Sequence, residues 1–471
     1  MAESIIRKIT GTDTYDGIAY SYVYSGDMTD GSRHGQGKCT WSNGDVYEGS
    51  WKNDKRHGKG EYTYADGKSY EGDWEDNQRC GSGIMKYENG DIYEGEWKND
   101  IQHGNGKMMY DNCDVYEGEW KDGKQHGDGK FESFYGEVYY GEFKDGKKHG
   151  YGKLIYADGS VYEGDYKNGK KDGKGTFRSP TGDVYEGDFE DGKRNGMGIS
   201  RLTNGDVYDG EWLNDKREGR GVLKSADGSV YEGKWKNGII NGRGKYEYAD
   251  GSVYTGDFLN NKRNGKGRFT DAEGSVYAGT FKDNKKDGSG VMHFENGDIY
   301  EGEWANDLFC GNGKMKYDNG AFYEGGWKDG KYHNNGRMKY SNGNVYDGEW
   351  KDGKCHGRGV MRYTNGDVYD GEWTDNAKRG RCVMKYANGD VYEGIFASGG
   401  AHQTGMMRYA NGDVYQGEWQ LGKQTGRGKY TFANGKVYDG EWKDGIKHGK
   451  GTLTYPDGTT EECYYINGVR Q

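Results

Sequence analysis

Val115 to Gly129 reads VYEGEWKDGKQHGDG, and almost every other part of the chain restates it. With the first tyrosine as marker, the series runs Tyr24, Tyr47, Tyr70, Tyr93, Tyr116 and on to Tyr438, each 23 residues from the last. A fixed period of this length marks a repeat architecture, in which each unit covers its neighbour's apolar face. Within a unit the alternation has period two: in Tyr47-Glu48-Gly49-Ser50-Trp51 the aromatics and Gly49 share one face while Glu48 and Ser50 take the other. That is the strand signal. Gly60-Glu61-Tyr62-Thr63-Tyr64 repeats it, so each unit is predicted to be a two-stranded hairpin. Helix is disfavoured by glycine every few residues, at a cost of about 1 kcal/mol each in a helix interior.

The expected fold class is all-β: one elongated array of antiparallel β-hairpins, a twisted meander or solenoid. Asn43-Gly44, Asp66-Gly67, Asn89-Gly90 and Asp158-Gly159 predict tight type I′ connections between units. Lys121 to His126 predicts a longer polar loop inside the hairpin. At the phase of Gly44 glycine persists through Gly458, with Cys113 as the exception. Glycines at the phases of Gly49, Gly58 and Gly60 let large rings lie against the backbone, and each buried ring contributes about 1.5 to 3 kcal/mol. Roughly 38 strands at about 4.8 Å spacing would extend on the order of 180 Å. Residues 1–23 read as an N-terminal cap, in which Tyr20, Tyr22 and Tyr24 alternate like a strand. Residues 24–458 read as the continuous array. Residues 459–471 read as a degenerate C-terminal cap that keeps Tyr465 at the tryptophan phase.

The 88 glycines and 31% hydrophobic content would signal disorder in an aperiodic chain, but here glycine, tyrosine and tryptophan sit at fixed phases. Seven cysteines lie far apart with no Cys-x-x-Cys pair, which predicts a reducing, cytoplasmic setting. The opening MAESIIRKITGTDT has no apolar stretch of signal-peptide length. A net charge of −11 argues against nucleic acid as a partner, because a broad basic face is needed to neutralise phosphates.

The pattern Tyr116-Glu117-Gly118-Glu119-Trp120, a polar turn, then His126-Gly127-Asp128-Gly129 resembles the membrane occupation and recognition nexus (MORN) repeat. About 19 units carry it, over essentially the whole chain. The resemblance implies a β-hairpin array serving as a scaffold at membrane junctions, in axonemal radial spokes and other ciliary structures, in cytoskeletal assemblies, or as a module attached to lipid kinases or methyltransferases. It also implies homodimers as one assembly state. No segment of domain size lies outside the repeats, so no enzyme activity and no cofactor are expected.

The leading expectation is therefore a non-enzymatic rigid rod that spaces or joins protein partners in a cytoskeletal or axonemal (ciliary) assembly. The alternative is a peripheral tether binding anionic phospholipids. Its candidate residues are the basic pairs that project from successive turns: Lys147-Lys148, Lys170-Lys171, Lys193-Arg194, Lys216-Arg217, Lys262-Arg263 and Lys285-Lys286. Each basic group near an anionic surface contributes about 1 kcal/mol. Ile239-Ile240 and Leu308-Phe309 put apolar groups where other units have lysine, and are candidate partner contacts. Asn334, Cys382 and Gln403 replace motif glycines, and Ala397 to Gln403 rewrites a whole turn.

Nine histidines (His34, His57, His103, His126, His149, His333, His356, His402, His448) share one phase with Cys80 and Cys310. Members two strands apart lie about 9 to 10 Å from each other, too far to share an ion with ligand bonds near 2 Å. They read as turn histidines bonded to local backbone, and no metal site is assigned. An ion shared with a second copy of the chain is the alternative. The carboxylates Glu94, Glu96, Glu117 and Glu119 recur as columns facing Lys107 and Lys130, which reads as a solvated charge ladder.

Overall fold

A computed structural model describes residues 7–471. The first six residues of the expected N-terminal cap lie outside the described residues. The chain divides into two compact units, Met1–Ile239 and Ile240–Gln471. Each is a meander of antiparallel strands with no helix among the described residues. The expected all-β hairpin array is what the structure shows.

The repeat at Tyr116 illustrates the building rule. Its strands, Val115–Lys121 and Lys124–Glu132, pair so that Tyr116 faces Phe131, Gly118 faces Gly129 and Trp120 faces Gln125. Glu119 alone therefore opposes His126, Gly127 and Asp128, a bulge that bends the hairpin. The next pairing, to Val138–Lys144, has no bulge: Phe131 faces Tyr139 and Gly129 faces Gly141.

The turns are the reverse of the sequence expectation. The tight connection lies inside the hairpin, at Asp122-Gly123, with φ of +50° and +74° as a type I′ turn requires. Lys124 to His126 belong to the second strand instead of a long loop. Between hairpins the turn closes on a Trp41 N–H to Asp45 O bond of 2.9 Å with three residues at its tip, Ser42-Asn43-Gly44, where Gly44 N–H donates to Trp41 O at 3.0 Å and only the glycine has positive φ, +99°. Asx-Gly alone does not discriminate the two turns. In many inter-hairpin turns, though not all, an aspartate follows the glycine and ties one turn to the next. Asp45 accepts Ala65 N–H of the next turn at 2.9 Å, and Asn43 donates to Asp45.

One face of each meander carries the core. Tyr116 is 0% exposed and Trp120 5%. Tyr116 meets Trp120 edge-on at 5.3 Å and Phe143 of the next repeat at 4.9 Å, so rings alternate along the stack in the geometry aromatic quadrupoles favour. The Tyr116 hydroxyl donates to Glu119 O at 2.8 Å within the bulge. Trp120 Nε1 donates to Gly106 O of the preceding repeat at 3.1 Å.

At the amino-terminal end, Arg7–Tyr15 pairs with Ile18–Thr29, so Tyr20, Tyr22 and Tyr24 do lie on one strand. Asp13 grips the buried Arg33 guanidinium through both oxygens, at 2.7 and 3.0 Å, and accepts Trp41 Nε1 at 2.9 Å. At the other end Thr460–Ile466 closes on Ile446–Thr454, with Cys463 opposite Gly451 and Tyr465 opposite Gly449. Tyr465 thus occupies the tryptophan phase as expected.

Candidate interaction surface

Because side chains alternate along a strand, the two members of each basic pair go to different places. Lys147, Lys170, Lys193, Lys216, Lys262 and Lys285 are exposed at the hairpin tips. Their neighbours turn back over the aromatic rings and do not project as the sequence suggested. Lys148 Nζ lies 4.8 Å from the Tyr139 ring and Lys171 Nζ 4.9 Å from Tyr162. Arg194 lies 4.2 Å from Trp212, and Arg217 4.8 Å from Tyr208. In the second unit Arg263 lies 4.7 Å from Phe269, and Lys286 4.9 Å from Trp304. Burial pushes the ammonium pKa of Lys148, Lys171 and Lys286 below the usual lysine range, as desolvation disfavours the charged form. Among the exposed members, Lys170 pairs with Asp191 at 2.9 Å and Lys262 with Asp283 at 3.1 Å.

The apolar substitutions split in the same way. Phe309, half-buried, takes the cation's place and stacks on Tyr300 at 3.9 Å, and Ile240, 7% exposed, is a core side chain. Leu308 remains 48% exposed, and Ile239 is half-buried. Phe134 and Tyr135, 65% and 82% exposed in an inter-hairpin turn, are accessible aromatics outside the residues expected from the repeat. Their signal was available, since no other repeat puts an aromatic at these phases.

On the face opposite the rings, the backbones of Gly49, Gly60, Gly72, Gly83 and Gly95 floor a concavity of about 820 Å³ walled by Glu48, Glu61, Glu71 and Glu94. The carboxylates here do two different things. Glu48 pairs with Lys38 at 2.9 Å in the open, as a charge ladder would. Glu96 instead accepts Asn105 N–H at 3.0 Å across the bulge, a structural role the ladder reading missed. The histidine column begins the second strand and is not in the turn. His333 and His448 Nδ1 accept N–H groups of Asp352 and Asn467 in the following turn, at 3.4 and 3.3 Å. Nδ1 of His34, His57, His356 and His402 is buried without a partner among the described residues. Among those residues no group of three or more His, Cys, Asp or Glu is placed to hold a metal ion, and all seven cysteines are free. No helix among them is long and apolar enough to cross a membrane.

The model of the MORN repeat family matches 18 segments between residues 24 and 460. The chain belongs to the MORN repeat family. The matches skip the repeat at 392–414, which carries the rewritten turn, and break at 113–115 and 134–138, where Cys113 and the exposed Tyr135 stand. MORN repeats are binding modules for proteins or membranes and are generally not enzymatic. No curated protein matches the chain. Among solved structures it is similar to the TCP domain of Drosophila melanogaster SAS-4 in complex with a proline-rich motif of Ana2, at 14% identity and TM-score 0.23, covering 37% of this chain and 88% of that one. It is also similar to the Danio rerio CPAP TCP10 domain with a STIL peptide, at 12% identity, TM-score 0.16 and coverage of 62% and 99%. A virginiamycin B lyase from Staphylococcus aureus with quinupristin matches at 12% identity, TM-score 0.11 and coverage of 62% and 95%. Scores this low bear on neither partners nor activity.

Proposed function

We propose that the protein is a non-enzymatic structural scaffold that joins protein partners in a cytoskeletal or axonemal (ciliary) assembly. The observation that carries the reading is the run of MORN repeats from residue 24 to 460, whose motif residues are used up by the fold. The motif tyrosine and tryptophan form the ring stack, and the facing glycines make room for it. What varies from repeat to repeat, and is therefore free to specify a partner, is the exposed turns; the glycine-floored acidic concavity is built from recurring positions and offers a charged surface beside them. Its carboxylate walls suit a basic protein segment, since complementary charge selects partners and speeds encounter. Homodimerisation is compatible with this role. Crosslinking the tagged protein in its own cells and identifying what it holds tests the reading; recovery of cytoskeletal or axonemal proteins supports it, and recovery of lipid alone opposes it.

The second reading is the tether on anionic phospholipids. The row of exposed tip lysines, Lys147, Lys170, Lys193 and Lys216 in one unit and Lys262 and Lys285 in the other, favours it. The inward-turned partners weaken it by removing about half the charge from the tips. Co-sedimentation with phosphoinositide vesicles at low salt, lost on reversing those six lysines, would support the tether.

A further inference from the structure

We propose that the cavity bounded by Ser179, Ser200, Leu202 and Arg194 is a socket for one aromatic side chain, a tyrosine by chemistry, presented by a protein partner. Most repeats carry a ring at the end of the second strand, as in Tyr64, Tyr87, Tyr110, Tyr156 and Tyr248. In many of these repeats the side chain 15 residues later covers that ring or bonds its hydroxyl. Gln102 donates to Tyr87 Oη at 3.2 Å, Gln125 to Tyr110 Oη at 3.1 Å, and Lys171 lies 5.1 Å from the Tyr156 ring. The second unit follows the same rule, with Gln424 donating to Tyr409 Oη at 2.8 Å.

Over three successive repeats the ring is replaced by Ser179, Leu202 and Ser225. Arg194, 15 residues after Ser179, has no ring of that kind to cover. Beside it Ser200, buried at 5% exposure, stands where Leu154, Phe177 and Leu223 stand in other repeats. Two bulky groups are thus missing side by side, and a cavity of about 300 Å³ lies there, with Phe177, Tyr185 and Phe189 in its walls. That is the lower end of the range for ligand sites and suits a single ring.

The charges fit the same occupant. Lys171 Nζ lies 4.9 Å from Phe177 and has no salt bridge among the described residues, while Arg194 forms the opposite wall, lying over Trp212 and paired with Asp215 at 3.2 Å. The Lys171 ammonium beside an apolar cavity matches the electron-rich face of an aromatic ring. The polar rim, Ser179 with Asp183 and the exposed Asp215, matches a phenolic hydroxyl. A partner protein as the source of the ring rests on the scaffold reading above; the ring-shaped vacancy does not.

The test uses the full chain and p-cresol, the side chain of tyrosine, followed by saturation-transfer NMR. Wild type is expected to bind p-cresol saturably and to bind 4-methylcyclohexanol at least tenfold more weakly. Ser179→Tyr, which restores the repeat's own ring, and Ser200→Leu, which fills the cavity from the other side, are each expected to weaken p-cresol binding at least tenfold and to raise the melting temperature. Failure of wild type to bind p-cresol, or unchanged binding in both filled variants, overturns the socket and leaves the scaffold reading standing. If Ser179→Tyr loses p-cresol yet crosslinks to every partner that wild type does, the assignment to a partner's side chain is overturned.

Discussion

At Gly118 and Gly129 two α-carbons face each other across the hairpin beneath the Tyr116 ring. A Cβ on Gly129 would lie 2.6 Å from that ring, and one on Gly118 would lie 2.5 Å from the Gly129 Cα. Gly129→Ala should therefore cost about 2 to 3 kcal/mol, the upper range for forced overpacking, measured by denaturant unfolding. A cost under 0.5 kcal/mol would show that the ring does not rest on the backbone. Cys113 presents the opposite case. It holds φ of +66° where sibling turns have glycine, so Cys113→Gly should gain about 1 kcal/mol. The facing glycines were legible from the alternation alone. The phase of Gly58 and Gly127, expected to make room for a ring, does something else: Gly127 needs φ of +57° for the bulge and has the Glu119 carboxylate beside it, not a ring, and a bulge leaves no trace in a strict period.

Between elements, the hydrogen bonds that join repeats decide what the ends need. Arg33 is 4% exposed, and its charge is satisfied by Asp13 from the terminal strand and by Asp54 at 3.3 Å. Asp13→Ala leaves a buried guanidinium short of its main partner, and the cost should be about 3 kcal/mol. Hydrogen exchange should then show Arg7–Tyr15 losing protection while the repeats beyond Trp51 keep theirs, because repeat stability is summed from nearest-neighbour contacts. Uniform loss along the chain would contradict that additivity. The hairpins themselves could be read from Tyr-x-Gly-x-Trp and its polar partner strand. The direction of the second basic residue could not, because a cation next to a turn looks solvated until its strand position sends it over Tyr139 or Trp212. Asn334 and Gln403, flagged as broken glycines, keep the glycine conformation at φ of +58° and +59°, so they are conservative in backbone terms. Cys382, by contrast, puts a side chain where a ring should rest. In the repeat that follows, the Tyr392 and Phe396 rings lie 6.0 Å apart, against 5.3 Å for Tyr116 and Trp120.

For the whole molecule, the tyrosine column makes stability depend on alkaline pH. Burial pushes the phenols of Tyr231 and Tyr277 up to about 12 and raises Tyr116 and Tyr300 as well. A folded-state pKa above the unfolded value of about 10 contributes stability that is fully present below pH 10 and lost as pH rises through 12. The half-buried Lys148 and Lys171 act in the opposite sense, since lowered pKa values favour the folded state as pH approaches the lysine range, but they are far outnumbered. Tyrosinate absorbance should therefore lag behind that of free tyrosine and rise together with the loss of β-sheet circular dichroism above about pH 11. Titration of all tyrosines near pH 10 without unfolding would contradict the buried column. The central functional claim, a scaffold held by protein partners and not by lipid, is tested most directly by extracting the native cells with non-ionic detergent. The chain should remain in the detergent-resistant cytoskeletal or axonemal fraction at moderate salt. Release with the solubilised membranes, or by low concentrations of salt alone, would contradict it.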